Sequence, residues 1–238
     1  MKWEKRDCPI KLALKLAGGW EDVTLEIGGD HHSWSVSGCV GDGFSALTEC
    51  LYVLYPDMLH DAEEPGSTDG KLLIKGTEYY TAENKDGSYV NLQPTDNPNE
   101  SVFTFVKRVE FTWDLEGCEV IWKIVRDSSV DKDFKLHIEI VDGSLKEPKT
   151  FRYDVQYSDM CYAVGKALTE ALKKRGFGGY HFSAWEGDIN VRHLCLLKAC
   201  GMGHPEAVQT SAALKQPVFG EGVVSPFSDE LELLLFDM

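Results

Sequence analysis

The sequence predicts an α+β fold: a largely antiparallel twisted sheet built from meanders, with three helices packed on one of its faces. Two patterns support this prediction. Runs in which apolar and polar residues alternate follow one another across short turns, and separate stretches repeat their apolar residues every three or four positions. A chain of 238 residues that is 43% hydrophobic can also bury a continuous core.

Three strands are predicted at the start of the chain. Apolar side chains alternate over residues 10–17, then over 23–27 and again over 34–36, and glycine pairs separate these runs. Because successive side chains of a strand point to opposite faces, each run places one apolar face on a core. The three runs therefore indicate a meander.

The first helix is predicted over residues 43–55, where Phe44 and the following leucines are spaced by three and four. Asp42 stands where it can cap the start of this helix, and Pro56 stops it. Residues 56–70 are acidic and rich in helix-breaking residues, which is typical of a solvated loop.

The middle of the chain is less regular. Short strands are predicted over 72–74, 78–81 and 89–92. A polar loop is predicted over 93–101 and is the best place to divide the chain into two halves, although a domain boundary there is not favoured.

Four stronger strands are predicted in the second half, over 103–113, 120–125, 134–140 and 151–157. Residues 120–125 are apolar on both faces, which predicts a central strand that is covered on both sides. The two strands that follow alternate cleanly, so each is expected to have one face in water.

A second helix is predicted over 158–175, with Ser158 or Asp159 as its cap and Gly176 in the left-handed position at its end. A last helix is predicted over 188–200, and Asp188 is placed to cap it.

These elements are expected to form one domain over residues 1–202. Residues 8–56 and 102–176 both run from strands into a helix, a pattern that can reflect a pseudo-repeat or only the frequency of such units. The tail, 203–238, ends in the apolar run 229–236, so it is expected to dock on the body of the protein or on a partner chain.

The charge narrows the classes of partner. With 39 acidic and 24 basic residues the net charge is −15, which repels nucleic-acid phosphates and attracts basic proteins. There is no apolar run long enough to cross a membrane and no apolar core of a signal peptide at the N-terminus. The seven cysteines are scattered without a disulfide framework, so a cytoplasmic protein is expected.

The motifs that can carry chemistry favour structural roles. The glycine-rich segment 38–43 lacks the residues of a nucleotide-binding loop and is interpreted as a turn before a helix. His31 and His32 are adjacent in a turn, where their side chains point in opposite directions. Neither a metal site nor a cofactor is therefore expected, and no catalytic residue is assigned.

Two acidic stretches are the candidate binding sites, because exposed carboxylates attract basic partners and a neighbouring tryptophan can anchor a protein contact. The candidate contact residues are Asp61, Glu63, Glu64, Trp185, Glu186 and Asp188.

Several segments occur in an order that resembles a family of uncharacterised bacterial α+β proteins. They are Ser37–Leu54, the turn Phe111–Gly117, the strand with Trp122–Arg126, the helix segment Cys161–Leu168 and Gly176–Tyr180 followed by Trp185. The resemblance implies a single α+β domain and carries no catalytic residues. Compact acidic proteins of this kind are similar in style to immunity proteins, which neutralise toxins.

Three functions remain open. The leading hypothesis is a non-enzymatic acidic binding protein that engages a basic partner, as an immunity-type protein does. The second is a hydrolase or isomerase in which carboxylates meet His137 or His181 only after folding. The third is a homodimeric structural module in which Leu231–Phe236 exchanges between chains; the oligomeric state, monomer or homodimer, stays open.

Overall fold

The structure is a computed structural model. It describes residues 4–38, 43–55, 71–74, 77–80, 108–127, 133–183, 189–204 and 227–238. The strands are β1 Lys11–Ala17, β2 Trp20–Ile27, β3 Asp30–Ser37, β4 Lys71–Ile74, β5 Thr77–Tyr80, β6 Arg108–Asp114, β7 Glu119–Arg126, β8 Lys135–Asp142 and β9 Lys149–Gln156. The helices are α1 Gly43–Leu54, α2 Tyr157–Ser183, α3 Val191–Gly201 and α4 Phe227–Leu235.

The predicted α+β class with antiparallel meanders is confirmed. The strands divide among separate antiparallel sheets with the orders β1-β2-β3, β4-β5 and β6-β7-β8-β9, rather than forming the one sheet expected. The physical reason is that each of the two large meanders has one apolar face to bury: β3 packs across the four-stranded sheet, α2 lies on β1, and α1 lies against β6. The strands predicted over 89–92, the first part of 103–113 and the loops over 56–70 and 93–101 lie outside the described residues.

The four-stranded sheet differs from its prediction at β7. Its inner face buries Val120, Trp122 and Ile124, but Ile121 and Val125 on the other face are half-exposed. The prediction that both faces are covered is therefore wrong. A β-branched residue on a wet sheet face still satisfies strand propensity, so apolar content alone does not show burial.

Strand β3 crosses the inner face of the four-stranded sheet. At one end His32 contacts Tyr153 of β9, and at the other end the Ser37 hydroxyl donates to Oε1 of Glu116 in the β6–β7 turn, at 2.9 Å. Between them, Trp34 packs against the side chains of Trp113 and Trp122. These contacts place an aromatic core between the two sheets.

Helix α1 is fastened to the same face by hydrogen bonds from side chains. The Trp113 indole donates to the carbonyl of Gly43 at 2.8 Å, and the Tyr157 hydroxyl donates to the carbonyl of Leu51 at 2.8 Å. Arg126, which is buried, donates to the carbonyl of Leu54 at 3.1 Å and satisfies an acceptor at the end of the helix.

Helix α2 departs from the prediction at both ends. At its start, Asp133 accepts from the amide and hydroxyl of Ser158, at 3.0 and 3.1 Å, so the capping carboxylate comes from the segment before β8. At Gly176 the backbone adopts a φ of 67°, as the sequence indicates, but the helix resumes after this kink. The resumed segment places Tyr180 in the core, and its burial accounts for the continuation.

Helix α3 begins later than predicted, at Val191 rather than at residue 188. Its cap is Asn190, whose side chain accepts from the amide of Arg192 at 3.0 Å. The helix packs on α2, and its last residue, Gly201, lies against the backbone of Tyr162.

The C-terminal segment forms helix α4, which lies on α3. Nζ of Lys198, a residue that is fully buried, donates to the carbonyls of Leu234 and Phe236 at 2.9 and 2.6 Å. Lys173 pairs with Asp237 at 2.6 Å. Lys198 thus satisfies carbonyl acceptors at the end of α4, which have no partner within that helix. Among the helices of the described ranges, none is both long and apolar enough to cross a membrane.

Candidate functional site

The outer face of the four-stranded sheet carries two rows of mostly charged side chains, here called the charged sheet face. Neighbouring strands place these residues side by side in register. One row holds Arg108, Val125, His137 and Asp154, and the other holds Glu110, Lys123, Glu139 and Arg152.

In the first row, His137 and Asp154 form a close pair. Nδ1 of His137 lies 2.6 Å from Oδ1 of Asp154, across the β8–β9 ladder. The carboxylate holds the imidazole by Nδ1 and so leaves Nε2 for another group. A histidine oriented by a carboxylate in this way can take up or release a proton at Nε2.

In the second row, Glu139 joins two cations. Its Oε2 accepts from Nε and Nη2 of Arg152 at 2.9 and 2.7 Å, and its Oε1 lies 3.4 Å from Nζ of Lys123. The hydrogen bond from Arg152 is the main cause that lowers the pKa of Glu139, so this carboxylate stays ionised.

A cavity of about 440 Å³ opens between these rows. It is lined by Arg108, Lys123, Val125, His137, Ile138, Glu139, Arg152, Tyr153 and Asp154. Its walls thus carry both signs of charge beside one histidine. Such a site can bind a polar ligand and can exchange a proton with it.

A second polar cluster lies on the inner side of the sheet. The Tyr153 hydroxyl donates to Oδ2 of Asp30 at 2.8 Å, so it can accept from Nε2 of His32, which is 2.7 Å away. This bonding places the proton of neutral His32 on Nε2. Burial is the main cause that lowers the pKa of His32, which favours that neutral form, and the ring stacks on Trp34.

Glu21 is a charged group of the core that the sequence analysis missed. It lies on the apolar face of β2, almost fully buried, and accepts from the backbone amide of Phe44 at the start of α1. The Tyr180 hydroxyl is 3.4 Å from Oε1 of Glu21. Burial raises the pKa of Glu21 to about 7.

The carboxylate of Glu21 therefore binds the helix start for which Asp42, outside the described residues, was the predicted cap. A sequence signal existed, because Glu21 is in phase with Val23, Leu25 and Ile27 on a face that is otherwise apolar. A carboxylate in such a row requires a partner within the fold.

All six predicted contact residues lie outside the described residues, in 56–70 and 184–188. The described residues that flank the second segment include two exposed apolar side chains, Phe177 after the kink of α2 and Val191 at the start of α3, with exposed fractions of 46% and 44%. Of the two candidate histidines, His137 meets a carboxylate on the charged sheet face, and His181 is half-buried in α2.

Within the described ranges, no group of three or more His, Cys, Asp or Glu side chains is arranged to hold a metal ion. His31 and His32 do point in opposite directions, one exposed and one buried, as predicted. Comparisons of the chain with protein-family models, with curated proteins and with solved structures found no match.

Proposed function

We propose that the protein is an acidic binding protein without catalytic activity that engages a basic protein, in the manner of an immunity protein that neutralises a toxin. The observation that carries this proposal is the distribution of charge. The net charge is −15, and four carboxylates on the outer faces of the two large sheets pair with cations of the same sheet. These pairs are Lys11 with Glu26, Lys15 with Asp22, Arg108 with Glu110, and Arg152 and Lys123 with Glu139.

Acidic residues are also concentrated in two other segments of the sequence. Residues 56–70 contain five carboxylates and no lysine or arginine, and residues 184–188 contain Glu186 and Asp188 beside Trp185. Phe177 and Val191, which lie before and after this segment in the sequence, are exposed apolar side chains. An acidic surface with apolar and aromatic anchors suits a basic protein partner, which charge attracts and apolar contacts retain.

Neutralising the acidic segment is expected to weaken partner binding. In the variant D61N/E63Q/E64Q, we expect capture of a basic protein from a native lysate to fall about tenfold at low salt, because these charges steer and hold the partner. The captured protein, identified by mass spectrometry, should also be released from the unaltered protein by added salt.

The matched control is D22N/E26Q/E139Q, which removes the same number of charges from carboxylates that already pair with cations. This control should bind as the unaltered protein does. Equal capture by D61N/E63Q/E64Q, or no basic protein captured at low salt, would contradict the proposal.

A second candidate function rests on the pair of His137 and Asp154 in the cavity of the charged sheet face. With Nδ1 held by the carboxylate, Nε2 is available as a general base for a hydrolase or isomerase reaction. The variant His137→Gln keeps a hydrogen-bonding side chain but cannot exchange the proton, so we expect any turnover of small ester or phosphoester substrates to fall at least about a hundredfold. Turnover that H137Q retains, or none by the unaltered protein, would rule this candidate out.

A further inference from the structure

Strand β9 is the outer strand of the four-stranded sheet. Within the described ranges its ladder partner is β8 alone, whereas β5 lies beside the opposite edge strand, β6. On the inner face of β9, Phe151 and Val155 are only half-buried. An outer strand with incompletely buried apolar side chains is a template for another strand.

The alternation of the β8–β9 ladder shows which backbone groups of β9 point outward. The amide of Tyr157 donates to the carbonyl of Phe134 at 2.8 Å, in the same register as the ladder. Because bonded and non-bonded pairs alternate in an antiparallel ladder, Phe151, Tyr153 and Val155 bond to β8. The N–H and C=O groups of the residues between them point away from it: Thr150, Arg152, Asp154 and Gln156.

These outward groups restrict how a second β9 can pair in antiparallel fashion. The two strands form hydrogen bonds only where an outward residue of one copy lies opposite an outward residue of the other. Because every second residue of β9 points outward, the two-fold axis must pass through one residue of the strand and not between two residues. An axis at Arg152 opposes two arginines, and an axis at Asp154 opposes two aspartates. An axis at Tyr153 instead opposes Arg152 to Asp154 twice, and opposite charges across a ladder stabilise it whereas like charges destabilise it.

We propose that two copies of the chain pair their β9 strands about a two-fold axis at Tyr153 and form one continuous eight-stranded sheet. On the inner face this register also opposes Phe151 to Val155 of the second copy, so the half-buried side chains of each strand cover one another. The proposal concerns a surface different from the acidic segments and does not depend on the binding of a basic partner.

The charged pairs within each copy are compatible with this arrangement. Arg152 uses Nε and Nη2 for Glu139, and its guanidinium retains further N–H donors. Asp154 uses Oδ1 for His137 and retains acceptor capacity. The side chains of Arg152 and Asp154 are 74% and 72% exposed, so each can reach the second copy. One strand on each side makes a small interface, so association should depend on concentration.

Charge reversal tests the register. The full chain is expected to sediment at twice its mass of 26.6 kDa at high concentration. Either Arg152→Asp or Asp154→Arg alone places like charges opposite each other at both 152–154 pairs of the interface. Each variant should therefore lower the association constant about tenfold or more. The double variant R152D/D154R restores opposite charges and should recover most of the association.

Two further variants test whether association depends on the edge of β9 or only on the overall charge of the protein. Lys11→Asp breaks a cross-strand pair on β1 and removes a cation that is also 74% exposed, and it should leave association unchanged. Thr150→Pro removes an outward N–H without removing a β8–β9 hydrogen bond, so it should keep the fold and lose the dimer. A chain that stays monomeric at all concentrations, dimerisation that T150P leaves intact, or a double variant no better than the single ones would overturn the proposal.

Discussion

Replacing Gly201 with alanine is expected to destabilise the protein by about 3 kcal/mol, because the added methyl group has no space. A Cβ at this position would lie 2.6 Å from both Cα and the backbone nitrogen of Tyr162. These are atoms of α2 itself, so the two helices must move apart. Chemical denaturation monitored by circular dichroism measures the loss.

The helices cannot separate freely at this crossing. Arg6 donates from Nε to the carbonyl of Gly201 at 2.7 Å and pairs with Asp159 at 2.7 Å, so the N-terminal segment ties α2 to α3. Any shift that accommodates the methyl group also strains these bonds.

Gly178→Ala is the control for this prediction, since a Cβ there has no neighbour within 4 Å. Alanine loses less backbone entropy than glycine in a helix, so G178A should be neutral or more stable by up to about 1 kcal/mol. Equal free energies of unfolding for the two variants would show that the close approach of α2 and α3 is not what requires glycine.

Replacing Glu21 with glutamine is expected to stabilise the protein above pH 7 by up to about 3 kcal/mol, which is the value of a shift from an ordinary pKa near 4.5 to about 7. A carboxyl whose pKa is raised by folding contributes stability fully below its unfolded pKa. That contribution is lost as the pH rises through the folded pKa, so the free energy of unfolding of the wild-type protein should fall between about pH 4.5 and 7. Glutamine remains neutral and can still accept from the amide of Phe44.

The measurement is the free energy of unfolding of both proteins across this pH range. The difference between E21Q and the wild type should be small at pH 4 and grow to its full value by pH 8. Glu26→Gln is the control, because Glu26 is exposed and its hydrogen bond with Lys11 lowers its pKa. A difference between E21Q and the wild type that does not change with pH would show that Glu21 is not protonated on folding at these pH values.

The secondary structure was largely predictable because its signals are local. The alternation over 10–17 follows from the geometry of an extended chain, and the structure shows β1 over Lys11–Ala17 with that burial pattern. In the same way the apolar spacing after Phe44 predicted α1 to within one residue. The positive φ of Gly176 was also predictable, because glycine is the residue that adopts it without strain.

The errors arose where a distant residue supplied the partner. Asp133 caps α2, and Glu21 binds the amide of Phe44. Tyr180 extends α2 beyond its glycine because the fold offers it a buried place. The candidate contact residues at 61–64 and 185–188 stay predictions, since they lie outside the described residues.

By itself the sequence determined the class of fold, the positions of most strands and helices, and the excess of negative charge. These follow from periodicity, turn chemistry and composition, which depend on neighbours along the chain. Only the tertiary structure decided that β3 packs across the four-stranded sheet, that His137 meets Asp154, and that β9 forms an outer edge of its sheet. Each of these depends on which residues from separate parts of the chain come within a few ångströms of one another, and no local pattern encodes that distance.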